Sequence, residues 1–154
     1  MNEVTLREFR GTLAECELVA GWRNRDAKAF PKQDKWTGTS QWAWYNEVYV
    51  RDPSLNLYFV CLDLVPIGTV GMRIKNGAGE MMWMILGNKS LKRGGYMRQG
   101  MRKLMEAYGL QYYWGLVLPD NKAGLQFQLD NGFEVVGEQD GMLYIELDFD
   151  GTWP

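Results

Sequence analysis

Apolar and polar residues alternate at the start of the chain. Residues 4–9, VTLREF, have the two-residue period of a strand. Thr12 and Glu15 follow at the spacing of a capping box, so we expect a helix that begins there and runs to about Trp22. The pattern predicts that the chain opens with a strand and a helix.

The next stretch is irregular and then becomes helical. Residues 22–39 have no steady period and contain Pro31 and Gly38, which predicts a long loop with a single helical turn at most. Ser40 is expected to cap a second helix. This helix should end before Pro53, because the residue that precedes a proline avoids the helical region.

Three strand-like runs follow in the middle of the chain. They cover residues 57–63, 67–75 and 80–87 and contain many apolar, aromatic and β-branched residues. The Val-Pro and Asn-Gly-Ala-Gly segments between them are short enough to be tight hairpin connections. The pattern predicts an antiparallel meander.

The last third alternates between helices and strands. From Tyr96 to Tyr108, apolar residues recur at three- and four-residue steps, which describes one face of a helix that Gly109 would close. The remaining elements are expected to be a strand, a helix and two strands, at 112–118, about 122–130, 133–138 and 142–148. Because no internal repeat or linker is visible, the sequence predicts one α+β domain over residues 1–154.

Composition narrows the possible chemistry. The 154 residues are 46% hydrophobic and 23% charged, which is typical of a globular protein, and the net charge of -2 argues against a broad nucleic-acid surface. The chain has no histidine, so Ser-His-Asp and Cys-His mechanisms are excluded and no metal site is expected. Cys16 and Cys61 stand alone in hydrophobic segments, which predicts free thiols in the cytoplasm. The first ten residues do not resemble a secretory signal, and no apolar run reaches the roughly 18 residues of a membrane span.

The segment from residue 87 to 100, GNKSLKRGGYMRQG, has the composition of an anion-binding loop. Two adjacent glycines and several cations precede a predicted helix, whose N-terminus presents unpaired backbone N–H groups. A diphosphate would fit this arrangement, although a glycine-rich turn with solvated lysines has the same composition. The segment lacks the sequence patterns of an ATPase P-loop and of a dinucleotide-binding fold.

This segment is the first of three ordered landmarks, with Lys92, Gly95 and Tyr96 in the frame of a phosphate loop. The second is PDNKAGLQFQLDNGF, in which Asn121 precedes a helix and a Gly-Phe pair. The third consists of GWRN, QWAWYNEV and PIGTVGMR in the N-terminal half. Together they resemble the GNAT family of acyl-CoA-dependent N-acetyltransferases, in the branch that acetylates protein N-termini, polyamines, antibiotics and amino-sugar nucleotides. The resemblance covers residues 4 to about 147.

The resemblance implies a mostly antiparallel, mixed sheet of six to seven strands with about four flanking helices, and acetyl-CoA as co-substrate. It implies that pantetheine lies between splayed fourth and fifth strands, hydrogen-bonded to the backbone of Met84, Ile85 and Leu86 and to Asn121. Phe127 and Gln128 would flank the thiol. The diphosphate would rest on the loop formed by Lys92, Arg93, Gly94, Gly95, Tyr96 and Met97.

The resemblance also makes Glu80 the first candidate for the catalytic base, although a solvated hairpin carboxylate is the plain alternative. Many relatives have a tyrosine at the position of Gln128, and that tyrosine donates a proton to the departing thiolate. A glutamine cannot do this. Tyr96, Tyr144 or water would have to replace it. Met97 stands where a small residue is usual, so its side chain is expected to crowd the diphosphate.

The resemblance further implies that the region from Trp22 to Tyr49, which is rich in aromatic residues, forms the wall that receives the acceptor. Trp22, Arg23, Trp36 and Trp44 are the candidate substrate-binding residues, and core packing is the alternative for each tryptophan. Trp42 and Tyr45, three residues apart, are expected to belong to the core.

The expected activity is transfer of acetyl to a primary amine of a small molecule, such as an amino sugar, a polyamine or an amino-modified nucleotide. A peptide N-terminus as acceptor and a non-catalytic acyl-CoA-binding protein on a degenerate scaffold are the alternatives. A nucleic-acid-binding module is the weakest reading. Many relatives form homodimers, so a homodimer is possible.

Overall fold

The computed structural model describes residues 2–26, 28, 30 and 35–154. The described part contains a seven-stranded sheet and four α-helices. The strands are β1 (Val4–Glu8), β2 (Leu55–Leu62), β3 (Val65–Lys75), β4 (Ala78–Leu86), β5 (Tyr112–Val117), β6 (Glu134–Gln139) and β7 (Met142–Asp148). The helices are α1 (Leu13–Arg25), α2 (Gly38–Glu47), α3 (Tyr96–Tyr108) and α4 (Lys122–Asp130).

The order of strands in the sheet is β1-β2-β3-β4-β5-β7-β6. Neighbouring strands are antiparallel except β4 and β5, which run parallel because α3 connects them. Helices α1 and α2 pack on one face of the sheet, and α3 and α4 pack on the other. These features confirm the predicted α+β class and the mixed, mostly antiparallel sheet.

The N-terminal helix begins where the sequence predicts and extends further. The Thr12 hydroxyl accepts a hydrogen bond from the Glu15 backbone N–H at 3.2 Å. The Glu15 carboxylate accepts from the Arg10 N–H and from Arg7 instead of from the capping residue. Helix α1 continues to Arg25, three residues beyond the expected end.

The prediction that Ser40 caps the second helix was wrong by three residues. Thr37 is the cap, and it exchanges two hydrogen bonds with Ser40: the Ser40 N–H donates to the Thr37 hydroxyl, and the Thr37 N–H donates to the Ser40 hydroxyl. Helix α2 therefore starts at Gly38 and ends at Glu47, and a short 3₁₀ turn covers Tyr49–Arg51 before Pro53. Of the loop predicted before it, Pro31 lies outside the described residues.

The two hairpin turns of the meander differ in how well they were predicted. Asn76 and Gly77 form the second turn with φ angles of 53° and 75°, as the Asn-Gly sequence indicates. The first turn is Asp63-Leu64, with φ angles of 49° and 72°, and not the Val-Pro pair. Pro66 instead lies inside β3, where a register shift in the neighbouring β2 tolerates a residue without an N–H group.

The main core lies between the sheet and α3. Met101, Leu104 and Met105 of α3 are almost fully buried against Tyr113 and Ile145 of the sheet. The helix sits close to the sheet at Gly100, where an added Cβ would lie 2.6 Å from a Val60 methyl carbon. No helix in the described part of the chain is long and apolar enough to cross a membrane.

Candidate active site

The feature that defines the site is an opening between β4 and β5. The two strands pair only from Ala78–Glu80 to Tyr112–Trp114, although β4 continues to Leu86 and β5 to Val117. Beyond Glu80, β4 therefore has no strand partner on its β5 side. Unpaired backbone groups along this part of β4 are available to hydrogen-bond a ligand that lies in the opening.

A β-bulge interrupts β4 inside the opening. Gly71 of β3 lies opposite Met82, but Thr69 lies opposite Ile85, so one residue of β3 faces two of β4. Trp83 has a φ of 55°, an uncommon conformation for a bulky side chain, which costs free energy and recurs at functional sites. The Thr69 hydroxyl donates to the Trp83 carbonyl at 2.7 Å and fixes the bulge.

The bulge turns Trp83 toward α2. Its ring packs against Trp44 with 5.3 Å between centroids and lies over Gly71, where an added Cβ would be 2.5 Å from the ring. The residue at position 71 is thus a glycine because the indole occupies the space of a side chain. Sequence analysis did not single out Trp83 or Thr69, since a bulge leaves no periodic signature in a continuous apolar run.

Glu80 is the last β4 residue that pairs with β5, so it stands at the apex of the opening. Its carboxylate lies 3.7 Å from the Arg73 guanidinium on the neighbouring strand. Burial raises the pKa of Glu80, and the charge of Arg73 opposes that rise. A cavity of about 200 Å³ beside it is lined by Arg73, Lys75, Ala78 and Trp114. Glu80 is therefore a half-buried carboxylate at a cleft.

The glycine-rich segment forms the turn that leads into α3. Gly95 caps the helix with a φ of 71°, and the space around its Cα is open. The first N–H groups of α3, at Tyr96 and Met97, have no carbonyl partner within the helix. Lys92 and Arg93 are exposed and form no ion pair with any described residue. These features together make a site that suits an anion.

The side chain of Met97 lies away from this anion site. It is 9% exposed and packs in the core, where its sulfur would be 2.8 Å from a Cβ added at Gly68. The crowding expected from a large residue at this position does not occur. Met97 therefore contributes only its backbone N–H group to the anion site.

An arginine at the end of α1 holds the far end of β4. The Arg25 guanidinium donates to the carbonyls of Leu86 at 2.5 Å and Gly87 at 2.6 Å. Because the Gly87 N–H donates to Ile67 of β3, the adjacent Leu86 carbonyl points toward the opening. Asp26 links Arg25 to Lys89 of the loop, at 3.2 and 3.1 Å. Arg25 had no signal in the sequence beyond its charge.

The other face of the opening carries the residues around α4. The Asn121 side-chain oxygen caps this helix by accepting from the Gly124 N–H at 3.0 Å, which leaves its amide nitrogen for another partner. Phe127 is half-buried against the α3 core. Gln128 is 8% exposed, and its side-chain oxygen has no hydrogen-bond partner among the described residues.

The aromatic residues of α1 and α2 divide differently from the prediction. Trp22 packs against Phe59 and over Gly87, and Trp44 packs against Trp83, so both contact β4 near the opening. Trp42 was expected in the core but is 48% exposed, because it lies on the opposite side of α2 from Trp44, which packs on the sheet. Tyr45, expected in the core with it, is half-buried.

Arg23 and Trp36 lie together beside this cluster. The Arg23 guanidinium is 4.5 Å from the centre of the Trp36 ring and 5.0 Å from that of Phe30. Asn24 holds the Trp36 backbone through two hydrogen bonds, at 2.7 Å from the Trp36 N–H and 2.5 Å to its carbonyl. Arg23 lines a small pocket that reaches Thr69, Trp83 and Ile85.

Comparisons with known proteins identify the fold. No family model and no curated protein matches the sequence. Solved structures do match. FdhC, described as a nucleotide-linked sugar GNAT, is 21% identical over 96% of this chain and 87% of its own, with a TM-score of 0.76. The aminoglycoside acetyltransferase AAC(6')-Ib, solved with ribostamycin and coenzyme A, is 19% identical over 96% and 94%, with a TM-score of 0.78.

A third match is RimL, a ribosomal alpha-N-protein acetyltransferase solved with coenzyme A. It is 13% identical over 97% of this chain and 96% of its own, with a TM-score of 0.80. The chain therefore has the GNAT fold.

Proposed function

We propose that this protein is an acetyl-CoA-dependent N-acetyltransferase that acts on a primary amine of a small molecule. The observation that carries the proposal is the opening between β4 and β5, with a bulge inside it and an anion site at its end. Solved proteins of the same fold contain coenzyme A, which supports acetyl-CoA as the ligand of such an opening. No metal is needed for this chemistry.

The proposed ligand matches the opening at both ends. The diphosphate would accept hydrogen bonds from the first N–H groups of α3 at Gly95, with Lys92 and Arg93 adding positive charge. The pantetheine amides would pair with β4 between Met84 and Leu86, and the free amide nitrogen of Asn121 could donate to the same arm.

Acetyl transfer requires a neutral amine, a polarised thioester and a proton for the departing thiolate. In our proposal Glu80 takes a proton from the ammonium, directly or through water. The amine nitrogen then attacks the thioester carbon, whose oxygen is stabilised by backbone N–H groups at the bulge. The nitrogen of the tetrahedral intermediate loses its second proton to water, the carbon–sulfur bond breaks, and water protonates the departing thiolate, because Gln128 has no acidic proton that it could give.

The aromatic wall favours a small acceptor with a ring or an alkyl chain. Trp44 and Trp83 offer flat apolar surface next to the bulge, where the thioester is expected. AAC(6')-Ib and FdhC, described as acting on aminoglycosides and nucleotide-linked sugars, support a small-molecule amine. RimL supports a peptide N-terminus as the nearest variant.

Calorimetric titration of acetyl-CoA and CoA tests the cofactor site. We expect micromolar binding by the wild type and at least a tenfold weaker affinity for Gly95→Asp, which places a negative charge at the diphosphate. Gly95→Asn is the matched control. Asn and Asp have the same size and both tolerate a positive φ, so only the charge differs.

Equal loss of binding in the two variants would show that backbone strain, and not charge, explains the effect. Absence of binding by the folded wild type would overturn the proposed function.

A non-catalytic acyl-CoA-binding protein is the second candidate, and Gln128 is the observation that favours it. If the protein binds acetyl-CoA but releases no thiol with a broad panel of primary amines, this second candidate replaces the first. Thiol release that depends on an added amine supports the enzyme.

A further inference from the structure

Arg23 forms no ion pair with a residue that the structure describes. Among the described residues, no carboxylate pairs with it, because Glu15 is held by Arg7, and Asp26 by Arg25 and Lys89. Within residues 2–26, 28, 30 and 35–154, the electrostatic contacts of its guanidinium are those with the rings of Phe30 and Trp36. Burial lowers the pKa of Arg23, as expected of a charge that lacks compensation.

Gln41 is a second buried residue with a polar atom that is unpartnered among the described residues, and it lines the same pocket as Arg23. Gln41 is 1% exposed, and its side-chain oxygen accepts no hydrogen bond from any described residue. The Nε atom of Arg23 is also buried without a partner in the described part of the chain. Two side chains that line one pocket, from α1 and α2, thus each have an unsatisfied polar atom. Such atoms cost free energy unless a ligand or a water satisfies them.

The pocket touches the reaction centre of the proposed function. Thr69 and Trp83, which build the bulge, form part of its lining together with Trp44. A group that occupied the pocket would therefore belong to a molecule that also reaches the bulge. That molecule is the acceptor, because the cofactor arm is expected in the opening on the other side of β4.

The size of the pocket limits what enters it. Its free space, about 10 Å³, suits one oxygen atom, the size of a single water. The Arg23 Nε–H group can donate to that oxygen. Rotation of the Gln41 side-chain amide by 180° exchanges its oxygen and its NH₂ group, so Gln41 can act as a second donor. Two donors and a positive charge select an anionic oxygen over a neutral one.

We propose that the acceptor carries a carboxylate or phosphate group near its amine and that Arg23 binds one oxygen of this group. The inference rests on the proposed function, since the ligand is the acceptor of the acetyl group. The amine would lie at the bulge and the anion at the pocket. Purely cationic amines such as simple polyamines lack the anion and are poor ligands.

Matched pairs of amines test this in the presence of CoA. The first pair is L-phenylalanine and phenethylamine, which differ by a carboxylate. The second is O-phosphoethanolamine and ethanolamine, which differ by a phosphate. Binding is followed by calorimetry and by tryptophan fluorescence, because the Trp36 ring lies on the guanidinium.

In at least one pair, we expect the anionic member to bind at least tenfold more tightly, and the pair that responds identifies the anion. Arg23→Gln should reduce the difference to less than twofold, and Arg23→Lys should retain part of it. Arg51→Gln, at an exposed cation of the 3₁₀ turn, is the control and should change nothing.

The affinity for CoA distinguishes a failure of the proposed function from a failure of the proposed role of Arg23. If the wild type does not bind CoA, the proposed function fails first. If CoA binds normally to the wild type and to Arg23→Gln, but both members of each pair bind equally or not at all, the role of Arg23 is overturned. Retained CoA affinity in Arg23→Gln also shows that the variant is folded.

Discussion

The two faces of the sheet are built on different principles. The face under α3 is filled mainly by aliphatic, methionine and aromatic side chains, and Gln128 has the one unsatisfied buried side-chain atom among its described residues. The Tyr113 hydroxyl, in contrast, donates to the Met105 carbonyl at 2.8 Å. The face under α1 and α2 is aromatic and holds most of the unsatisfied atoms. Of the five buried side-chain atoms without a partner in the described residues, four belong to Arg23, Trp36, Gln41 and Arg73 on this face.

This difference indicates a division of labour between the two faces, in which the α3 face stabilises the fold and the α1/α2 face binds the ligand. Close packing with satisfied polar groups maximises stability. Unsatisfied polar groups beside a cavity lower stability until a ligand forms hydrogen bonds with them. We therefore expect substitutions under α3 to change the free energy of unfolding, and substitutions under α1 and α2 to change binding and catalysis. The predictions below test that division.

The largest effect is expected at Glu80. Replacing a general base by a neutral isostere typically reduces kcat by about 10² to 10⁴. Glu80→Gln should show a loss of this order in thiol release, while its CoA affinity and unfolding free energy stay near the wild-type values. Steady-state kinetics and calorimetry on the same preparation measure both.

The pH dependence gives an independent reading of the same residue. A base must be deprotonated to act, and burial raises the pKa of Glu80, so kcat/KM should rise with pH through a value above the usual one for glutamate. Glu80→Gln should lack this limb. An unchanged limb in the variant would assign the titration to another group and remove Glu80 from the mechanism.

The next effect belongs to the α3 face. Leu104 is 1% exposed, and Leu104→Ala should lower the free energy of unfolding by about 2–5 kcal/mol, because it leaves a cavity in a packed core. Urea denaturation without ligand measures this. Leu129→Ala, at a leucine of α4 that is 38% exposed, is the control and should cost much less. A loss below about 1 kcal/mol at Leu104 would mean that this face is not the main source of stability.

The elements that follow regular sequence patterns were predicted correctly. The stripe of α3, the strands of the meander and the Asn-Gly turn follow from periodicity and turn chemistry, and the structure confirms them. The glycine turn at the start of α3, where we propose the anion site, was also visible, because a glycine pair, cations and a helix start are contiguous in the chain.

The α1/α2 face and the bulge beside it were less predictable because their geometry comes from residues that are distant in the sequence. The bulge at Trp83 depends on the register between β3 and β4, and Arg25 reaches Leu86 only after folding. The prediction that Trp42 belongs to the core was wrong for a related reason. Trp42 and Trp44 are two residues apart on one helix, so composition could not tell which of them faces the sheet.

The smallest effect tests the cost of an unsatisfied group on the α1/α2 face. Gln41 is almost fully buried with an unpartnered oxygen, so Gln41→Met, which has a similar shape, should raise the free energy of unfolding by about 0.5–1 kcal/mol. Thermal unfolding should show this as an increase in Tm of roughly 1–4 °C. Gln99→Met, at an exposed glutamine of α3, is the control and should stay within about 0.5 kcal/mol of the wild type.

The sign of the Gln41→Met effect decides between two accounts of this face. A gain in stability, with a weaker preference for anionic amines, would show that the glutamine is kept for the ligand at the expense of the fold. A loss of more than about 1 kcal/mol would show that an ordered water already satisfies the glutamine. In that case both faces of the sheet would serve stability, and the division of labour would be wrong at Gln41.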